Sequence, residues 1–130
     1  MKYLGIDFGS KRVGIAVSDE TNTLAFPRCV LENNKKLLEE VWKIAKEENA
    51  EKIILGESKN FKGEPNPIMR EIEKFKKNLE EKFLKERFPT EIFFEPEFMT
   101  SSQAEHLQGK NRLHDASAAA IILQSFIDKN

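Results

Sequence analysis

Three carboxylates stand where secondary-structure elements are expected to begin or end. Asp7 interrupts an otherwise apolar strand, Glu97 follows the last predicted strand, and Asp115 opens the final predicted helix. An ionised carboxylate in a strand is costly unless a metal ion, a cation or several donors compensate it. Oxygen ligands without a Cys or His cluster suit Mg²⁺ or Mn²⁺, and such ions activate water for phosphodiester cleavage. In the alternative interpretation Asp7 only caps a turn.

The chain around Asp7 is predicted to form a β-hairpin. Gly9 and Ser10 supply turn chemistry between two apolar stretches. The small residues Gly5, Gly9 and Gly14 are expected to leave room for a bulky group near Asp7. In the alternative interpretation these glycines serve backbone geometry alone.

Hydrophobic periodicity predicts three antiparallel strands followed by alternating helices and strands, which indicates a mixed sheet covered by helices. Pro27 places the third strand at an edge or a bulge. Trp42 is predicted to pack in the core rather than to stack on bases. After the hairpin, the predicted elements are strand Leu24–Leu31, a helix capped by Asn33 and Asn34, strand Lys52–Gly56, a loop from Glu57 to Pro65, a helix from Asn66 and Pro67 to Pro89, strand Glu91–Glu95, a short helix from Ser102, a polar connection Gln108–Arg112 and a final helix from His114.

Composition narrows the class of protein. At 130 residues the chain is predicted to be one domain, 1–130. With 21 Lys and Arg against 22 Asp and Glu, any nucleic-acid binding has to depend on local basic patches. The single cysteine, Cys29, excludes an internal disulfide and is expected to be a small buried side chain. No membrane-spanning run or signal-peptide pattern is present, which predicts a cytoplasmic protein without a membrane partner.

Two segments resemble the YqgF/RuvX family of bacterial RNase H-like nucleases: Leu4-Gly-Ile-Asp-Phe-Gly-Ser-Lys-Arg-Val-Gly-Ile-Ala-Val-Ser-Asp19 and Asp115-Ala-Ser-Ala-Ala-Ala-Ile-Ile-Leu-Gln-Ser125. The resemblance implies an α/β RNase H-like fold, with a five-stranded mixed sheet made of a three-stranded antiparallel meander plus parallel strands. It also implies a nuclease that depends on Mg²⁺ or Mn²⁺ and matures the 5′ end of precursor 16S rRNA. The family was first described as Holliday junction resolvases, from a likeness to RuvC, so branched DNA is the alternative substrate.

The resemblance assigns roles to individual residues. Asp7 matches the first acidic residue of the family and Asp115 the last. Glu97 matches the middle one, so the three are implied to be the catalytic and metal-binding residues. Glu57 stands where RuvC-type resolvases have an acidic ligand and is a further candidate, the alternative being an exposed loop glutamate.

The segment around Glu97 departs from the family pattern. The family has Asp-Glu-Arg-Leu-Thr after a strand, whereas this chain has Pro96-Glu97-Phe98-Met99-Thr100. Thr100 matches and is a supporting candidate. The usual Asp and Arg are replaced by Pro96 and Phe98, so any phosphate contact or carboxylate pairing made by that Arg has no counterpart at this position.

Basic residues near the predicted site are candidates for nucleic-acid contacts. Lys11 and Arg12 follow the strand that carries Asp7, and Lys110 and Arg112 lie in a glycine-containing connection. His114 is a supporting candidate that could hold a phosphate or move a proton. The alternatives are a surface ion pair for Arg12, a helix cap or an exposed side chain for His114, and solvated loop charges for Lys110 and Arg112. The mixed charges of the long helix before Pro89 favour a solvated face over a phosphate track.

Two other functions stay open at this point. Asp7-Phe-Gly-Ser10 also resembles the phosphate loop of actin-like ATPases and sugar kinases, although those folds use two such domains around the nucleotide. Alternatively, the chain is a catalytically weak RNA-binding or transcription factor that keeps the fold. Loss of cleavage with retained RNA binding, on substitution of Asp7, separates an enzyme from a binding protein.

Overall fold

A computed structural model describes residues 1–57, 67–96 and 114–129, with side chains in the last segment described from residue 116 onward. Within these residues the chain forms five strands and three helices. The elements are β1 Lys2–Phe8, β2 Arg12–Ser18, β3 Ala25–Glu32, α1 Leu37–Glu47, β4 Ala50–Glu57, α2 Met69–Lys85, β5 Glu91–Pro96 and α3 His114–Lys129.

The strands form one mixed sheet in the order β3-β2-β1-β4-β5. Strands β1, β2 and β3 pair antiparallel, whereas β4 pairs parallel with β1 and β5 pairs parallel with β4. This arrangement confirms the predicted meander followed by parallel strands. The last residues of β1, β4 and β5 therefore meet at one end of the sheet, which we call the carboxyl end.

Helices cover both faces of the sheet, and side-chain alternation assigns each strand residue to one face. Leu4, Ile6 and Phe8 of β1 belong to the core under α1 and α2, which also holds Trp42. Ile54 and Ala16 belong to a second, smaller core under α3, which the alanines of α3 approach closely. None of the helices in the described residues is long and apolar enough to cross a membrane.

Trp42 lies in the core, as predicted, with its ring centroid 5.4 Å from that of Phe83 and 5.2 Å from that of Phe88. Cys29 is half-buried, and burial raises the pKa of its thiol. A thiol that resists ionisation is a poor nucleophile, which agrees with a structural role for this residue.

Pro27 sits at a bulge on the edge strand β3, as the sequence predicts. Ile15 pairs with Cys29 and Ala16 pairs with Pro27, so Arg28 is the extra residue of β3. Arg28 uses this position to donate to Glu47 and Glu48 at the end of α1, at 2.9 and 2.8 Å.

The predicted helix boundaries need two corrections. Asn34 accepts a bond from the Lys36 backbone N–H at 2.9 Å, but it precedes the helix, and α1 has no side-chain cap. Helix α2 ends at Lys85 rather than next to Pro89. It stops because Arg87 adopts a left-handed φ of 56° and the Phe88 N–H bonds back to the Phe83 carbonyl at 2.9 Å.

Several predictions fall outside the described residues. These are the loop after Glu57 up to Asn66, the short helix from Ser102 and the connection Gln108–Arg112. The final helix is described from His114 onward.

Candidate active site

Asp7 lies half-buried near the carboxyl end of the central strand β1, and it has a glycine on each side in the sheet. Gly14 of β2 is its antiparallel partner. On the other side, Ile6 pairs with Leu55 of the parallel strand β4. The next residues in this register are Asp7 and Gly56, so Gly56 lies beside Asp7. Both in-register neighbours of Asp7 are therefore glycines, which carry no side chain that could crowd this carboxylate.

The other two glycines near Asp7 do not leave room for a bulky group, which corrects the sequence interpretation. A Cβ on Gly5 would lie 2.7 Å from both the Ala119 carbonyl oxygen and the Leu123 Cβ. The missing side chain at Gly5 therefore allows α3 to pack closely against β1. A Cβ on Gly9 would lie 2.5 Å from the Arg12 carbonyl oxygen, so Gly9 permits the hairpin turn.

Helix α3 crosses β1 on the face that carries Asp7. Tyr3 meets Phe126 with ring centroids 6.1 Å apart, and Gly5 faces Ala119 and Leu123. The contacts move toward the start of α3 as β1 advances, so the first turn of α3 lies toward the Asp7 end of the strand. That turn contains the backbone of His114 and Asp115.

Strands β4 and β5 end beside each other, because Glu57 pairs with Pro96. Glu97 follows Pro96 directly, although Glu97 and Thr100 lie outside the described residues. Because side chains along a strand alternate between the two faces of the sheet, Glu57 lies on the same face as Leu55, under α1 and α2. Asp7 lies on the opposite face, with Gly5 under α3. The register thus does not support Glu57 as a ligand beside Asp7.

The β1–β2 hairpin carries Lys11 and Arg12 at the same end of the sheet. The Gly9 N–H donates to the Arg12 carbonyl at 3.0 Å, which closes a tight turn. Asn33 fixes this turn from the side: its Nδ2 donates to the Gly9 carbonyl at 2.8 Å and its backbone N–H donates to the Lys11 carbonyl at 2.9 Å. Sequence reasoning considered Asn33 only as a helix cap and missed this role.

Glu95 is a second residue that the sequence analysis missed. It pairs in register with Gly56, so it lies on the Asp7 face of the sheet, and only 4% of it is exposed. Its Oε2 accepts bonds from Ser125 Oγ at 2.7 Å and Lys129 Nζ at 2.6 Å, near the end of α3. These partners compensate the buried charge and give Glu95 a structural role in holding α3 against β5.

The remaining predicted site residues are not brought together by the described part of the chain. Lys110 and Arg112 lie outside it, and the side chains of His114 and Asp115 are not among those described. Within residues 1–57, 67–96 and 116–129 no group of three His, Cys, Asp or Glu side chains could hold a metal ion.

The mixed sheet with helices on both faces is an RNase H-like fold, the fold of RuvC-type resolvases. Thermus thermophilus RuvC in complex with a Holliday junction substrate superposes with a TM-score of 0.63 at 15% identity, over 99% of this chain and 94% of that chain. The fowlpox virus resolvase in complex with junction DNA gives a TM-score of 0.58 at 14% identity, over 99% and 98%. At these identities the likeness concerns the fold.

Sequence comparison specifies the family. The family model of RuvX, described as Holliday junction resolvase, matches residues 1–129, and the chain belongs to this family. A relative from Nitratidesulfovibrio vulgaris is 34% identical, covering 98% of this chain and 94% of its own. Another, from Caldanaerobacter subterraneus, is 34% identical over 98% of this chain and 96% of its own. Both bear the name pre-16S rRNA nuclease.

Proposed function

We propose that this protein is a nuclease that hydrolyses phosphodiester bonds in precursor 16S rRNA, with its active site at the carboxyl end of the sheet. The observation that carries the proposal is Asp7, a carboxylate placed at the end of the central strand with Gly14 and Gly56 beside it. Family membership and the names of full-length relatives support the reaction and the substrate. The protein acts as a single domain, 1–130, in the cytoplasm.

Three carboxylates form the proposed catalytic set. Asp7 supplies one from β1. Asp115 supplies the second from the first turn of α3, which the contacts of Gly5 direct toward Asp7. Glu97 supplies the third because it follows β5 by one residue, at the end of the sheet where β1 also ends. Thr100 and His114 are supporting residues of this set. Glu57 stays outside it because alternation gives it the other face.

The donor set fits Mg²⁺ or Mn²⁺, since carboxylate oxygens are the ligands these ions prefer. Glycines at both in-register positions beside Asp7 support this assignment, because they add no side-chain bulk where a hydrated ion and a phosphate would bind. When bound, such ions polarise the scissile phosphate and lower the pKa of an attacking water. The protein's own carboxylates would hold the ions, while Lys11, Arg12, Lys110 and Arg112 contact neighbouring phosphates and orient the strand.

A panel of substrates tests the proposal and separates it from the alternatives. Purified protein is incubated with end-labelled 5′-extended precursor 16S rRNA, a four-way DNA junction and single strands of each, with Mg²⁺, Mn²⁺ or EDTA. We expect cleavage of the precursor with either metal and none in EDTA. Preferential cleavage of the junction would make the protein a resolvase, and RNA binding without cleavage of any substrate would make it a binding factor.

A further inference from the structure

A cleft opens on the opposite face of the sheet from Asp7, at the same carboxyl end. It has a volume of about 420 Å³. Phe8, the residue after Asp7, forms its base, and the β3–α1 connection and the start of α2 form its walls. The polar residues that line it are Asn33, Asn34, Lys35, Glu71, Lys74 and Asn78.

The first turns of α2 form one wall of the cleft. Phe75 packs on Phe8 at the end of β1, with ring centroids 5.2 Å apart, and Lys82 reaches Glu39 in the first turn of α1 at 2.8 Å. Helix α2 begins at Met69, six residues before Phe75. At 1.5 Å per residue, Met69 lies roughly 9 Å from Phe75 along the helix axis. Glu71 and Lys74, in these first turns, line the cleft.

A second cleft, of about 630 Å³, lies beside the hairpin turn and shares Asn33 and Asn34 with the first. Its lining includes Lys11 and Arg12. The two clefts therefore follow one another around the end of the sheet, past the turn that comes directly after Asp7. A strand whose scissile phosphate lies at Asp7 can continue along this path without leaving the protein surface.

Charge along this path is positive, although the whole chain has a net charge of −1. Lys11, Arg12, Lys35 and Lys74 line the two clefts, against Glu32 and Glu71. Among the described residues, Lys11, Lys35 and Lys74 form no ion pair with a carboxylate. Other lysines of α2 differ, because Lys76 pairs with Glu80 at 2.9 Å and Lys82 with Glu39 at 2.8 Å.

We infer that these two clefts bind the backbone phosphates of the nucleic-acid strand that flanks the cleaved bond, with Lys35 and Lys74 as the contacts of the first cleft. The inference rests on the proposed nuclease function and adds the path of the strand. Flexible lysine side chains contact phosphates without selecting bases. The path therefore contributes affinity and register rather than sequence preference.

The double substitution Lys35→Ala/Lys74→Ala tests the inference. Binding of a fluorescent single-stranded RNA is measured by anisotropy in EDTA, across a salt series. A matched double substitution, Lys43→Ala/Lys77→Ala, removes one exposed lysine from α1 and one from α2, both outside the two clefts. The salt slope is the change in the logarithm of the affinity with the logarithm of the salt concentration, and each phosphate contact in a single strand adds about 0.7 to its magnitude. We therefore expect this slope to be smaller by about 1.4 in the cleft variant and unchanged in the control.

Further measurements separate the outcomes. Equal melting temperatures of the two variants exclude misfolding as the cause of weaker binding. Added inorganic phosphate at the same ionic strength distinguishes a strand track from a pocket for free phosphate, since only a pocket would be saturated by it. Coincident slopes and affinities for the cleft variant and its control would overturn the inference. Absence of precursor cleavage by the parent would instead overturn the proposed function.

Discussion

At the scale of single residues, the site depends on side chains that hold the backbone as much as on those that carry charge. Asn33 is the clearest example, because its amide donates to the Gly9 carbonyl at 2.8 Å and joins the end of β3 to the hairpin that presents Lys11 and Arg12. Without this donor the carbonyl of Gly9 loses its side-chain partner and the turn is less constrained.

Replacing Asn33 by Ala should lower the free energy of unfolding by about 1 kcal/mol, because one partly buried hydrogen bond is lost. Urea unfolding measures this change. Asn78→Ala, at an exposed position of α2, is the control and should be nearly neutral. Cleavage by Asn33→Ala should also fall under conditions where it is fully folded. A variant as stable as the parent would show that Asn33 does not hold the turn.

Asp19 lies at the other end of the sheet and gives a prediction on pH. Backbone and side-chain hydrogen bonds, led by that from the Thr23 N–H, lower its pKa to about 2. Because the folded pKa is depressed below the model-peptide value, its contribution to stability is complete above about pH 4 and is lost as the pH falls toward 2.

Two measurements check the role of Asp19. An NMR titration of its carboxyl carbon should give a midpoint near the lowered value. Stability measured from pH 5 to pH 2 should decline less in Asp19→Asn than in the parent, since the variant has no group to protonate there. A midpoint near 4 would contradict the hydrogen-bond arrangement of this loop.

At the scale of elements, the packing of α3 on β1 positions the start of α3, and with it the backbone of Asp115, relative to Asp7. Gly5→Ala places a methyl group 2.7 Å from the Ala119 carbonyl oxygen, where backbone has to move. We expect a loss of about 1–3 kcal/mol in the free energy of unfolding, as for other overpacked cores. Cleavage should fall further than the unfolded fraction explains, because α3 moves away from Asp7. Full activity in Gly5→Ala would show that this contact does not set the site.

The end of β4 provides a test of the register. Alternation gives Glu57 the face under α1 and α2, so Glu57→Gln should leave the Mg²⁺ concentration for half-maximal cleavage unchanged. Glu51→Gln, near the start of the same strand, is the matched control. An increased Mg²⁺ requirement in Glu57→Gln alone would return Glu57 to the ligand set.

The elements also show what sequence reasoning could and could not provide. The meander and the parallel strands after it followed from the succession of predicted elements and the family resemblance, whereas the order of the strands in the sheet was not predicted. The predicted end of α2 was wrong because the helix stops at a left-handed Arg87, and an arginine, unlike a glycine, does not mark such a position in the sequence. The roles of Gly5 and Asn33 depend on elements far apart in the chain, α3 and β3, so local patterns could not reveal them. Glu95 was missed for the same reason, since its partners lie on α3.

At the scale of the whole molecule, a nearly neutral protein has to hold a polyanion. Its charges are separated locally: carboxylates are proposed to gather beside Asp7, while lysines line the first cleft, on the opposite face, and the second cleft, beside the hairpin turn. The acidic side repels phosphate until divalent ions bind, whereas the basic path attracts it without them. Affinity and cleavage should therefore respond differently to metal: EDTA abolishes cleavage and leaves weak, salt-dependent binding.

The most direct test compares Asp7→Asn with the parent on 5′-extended precursor 16S rRNA in Mg²⁺. The substitution is nearly isosteric but removes a charge that holds the ion, so cleavage should fall by orders of magnitude while circular dichroism and RNA binding in EDTA stay unchanged. Asp19→Asn, which alters a carboxylate at the other end of the sheet, should cleave like the parent. Parent-like cleavage by Asp7→Asn would contradict an active site at this end of the sheet.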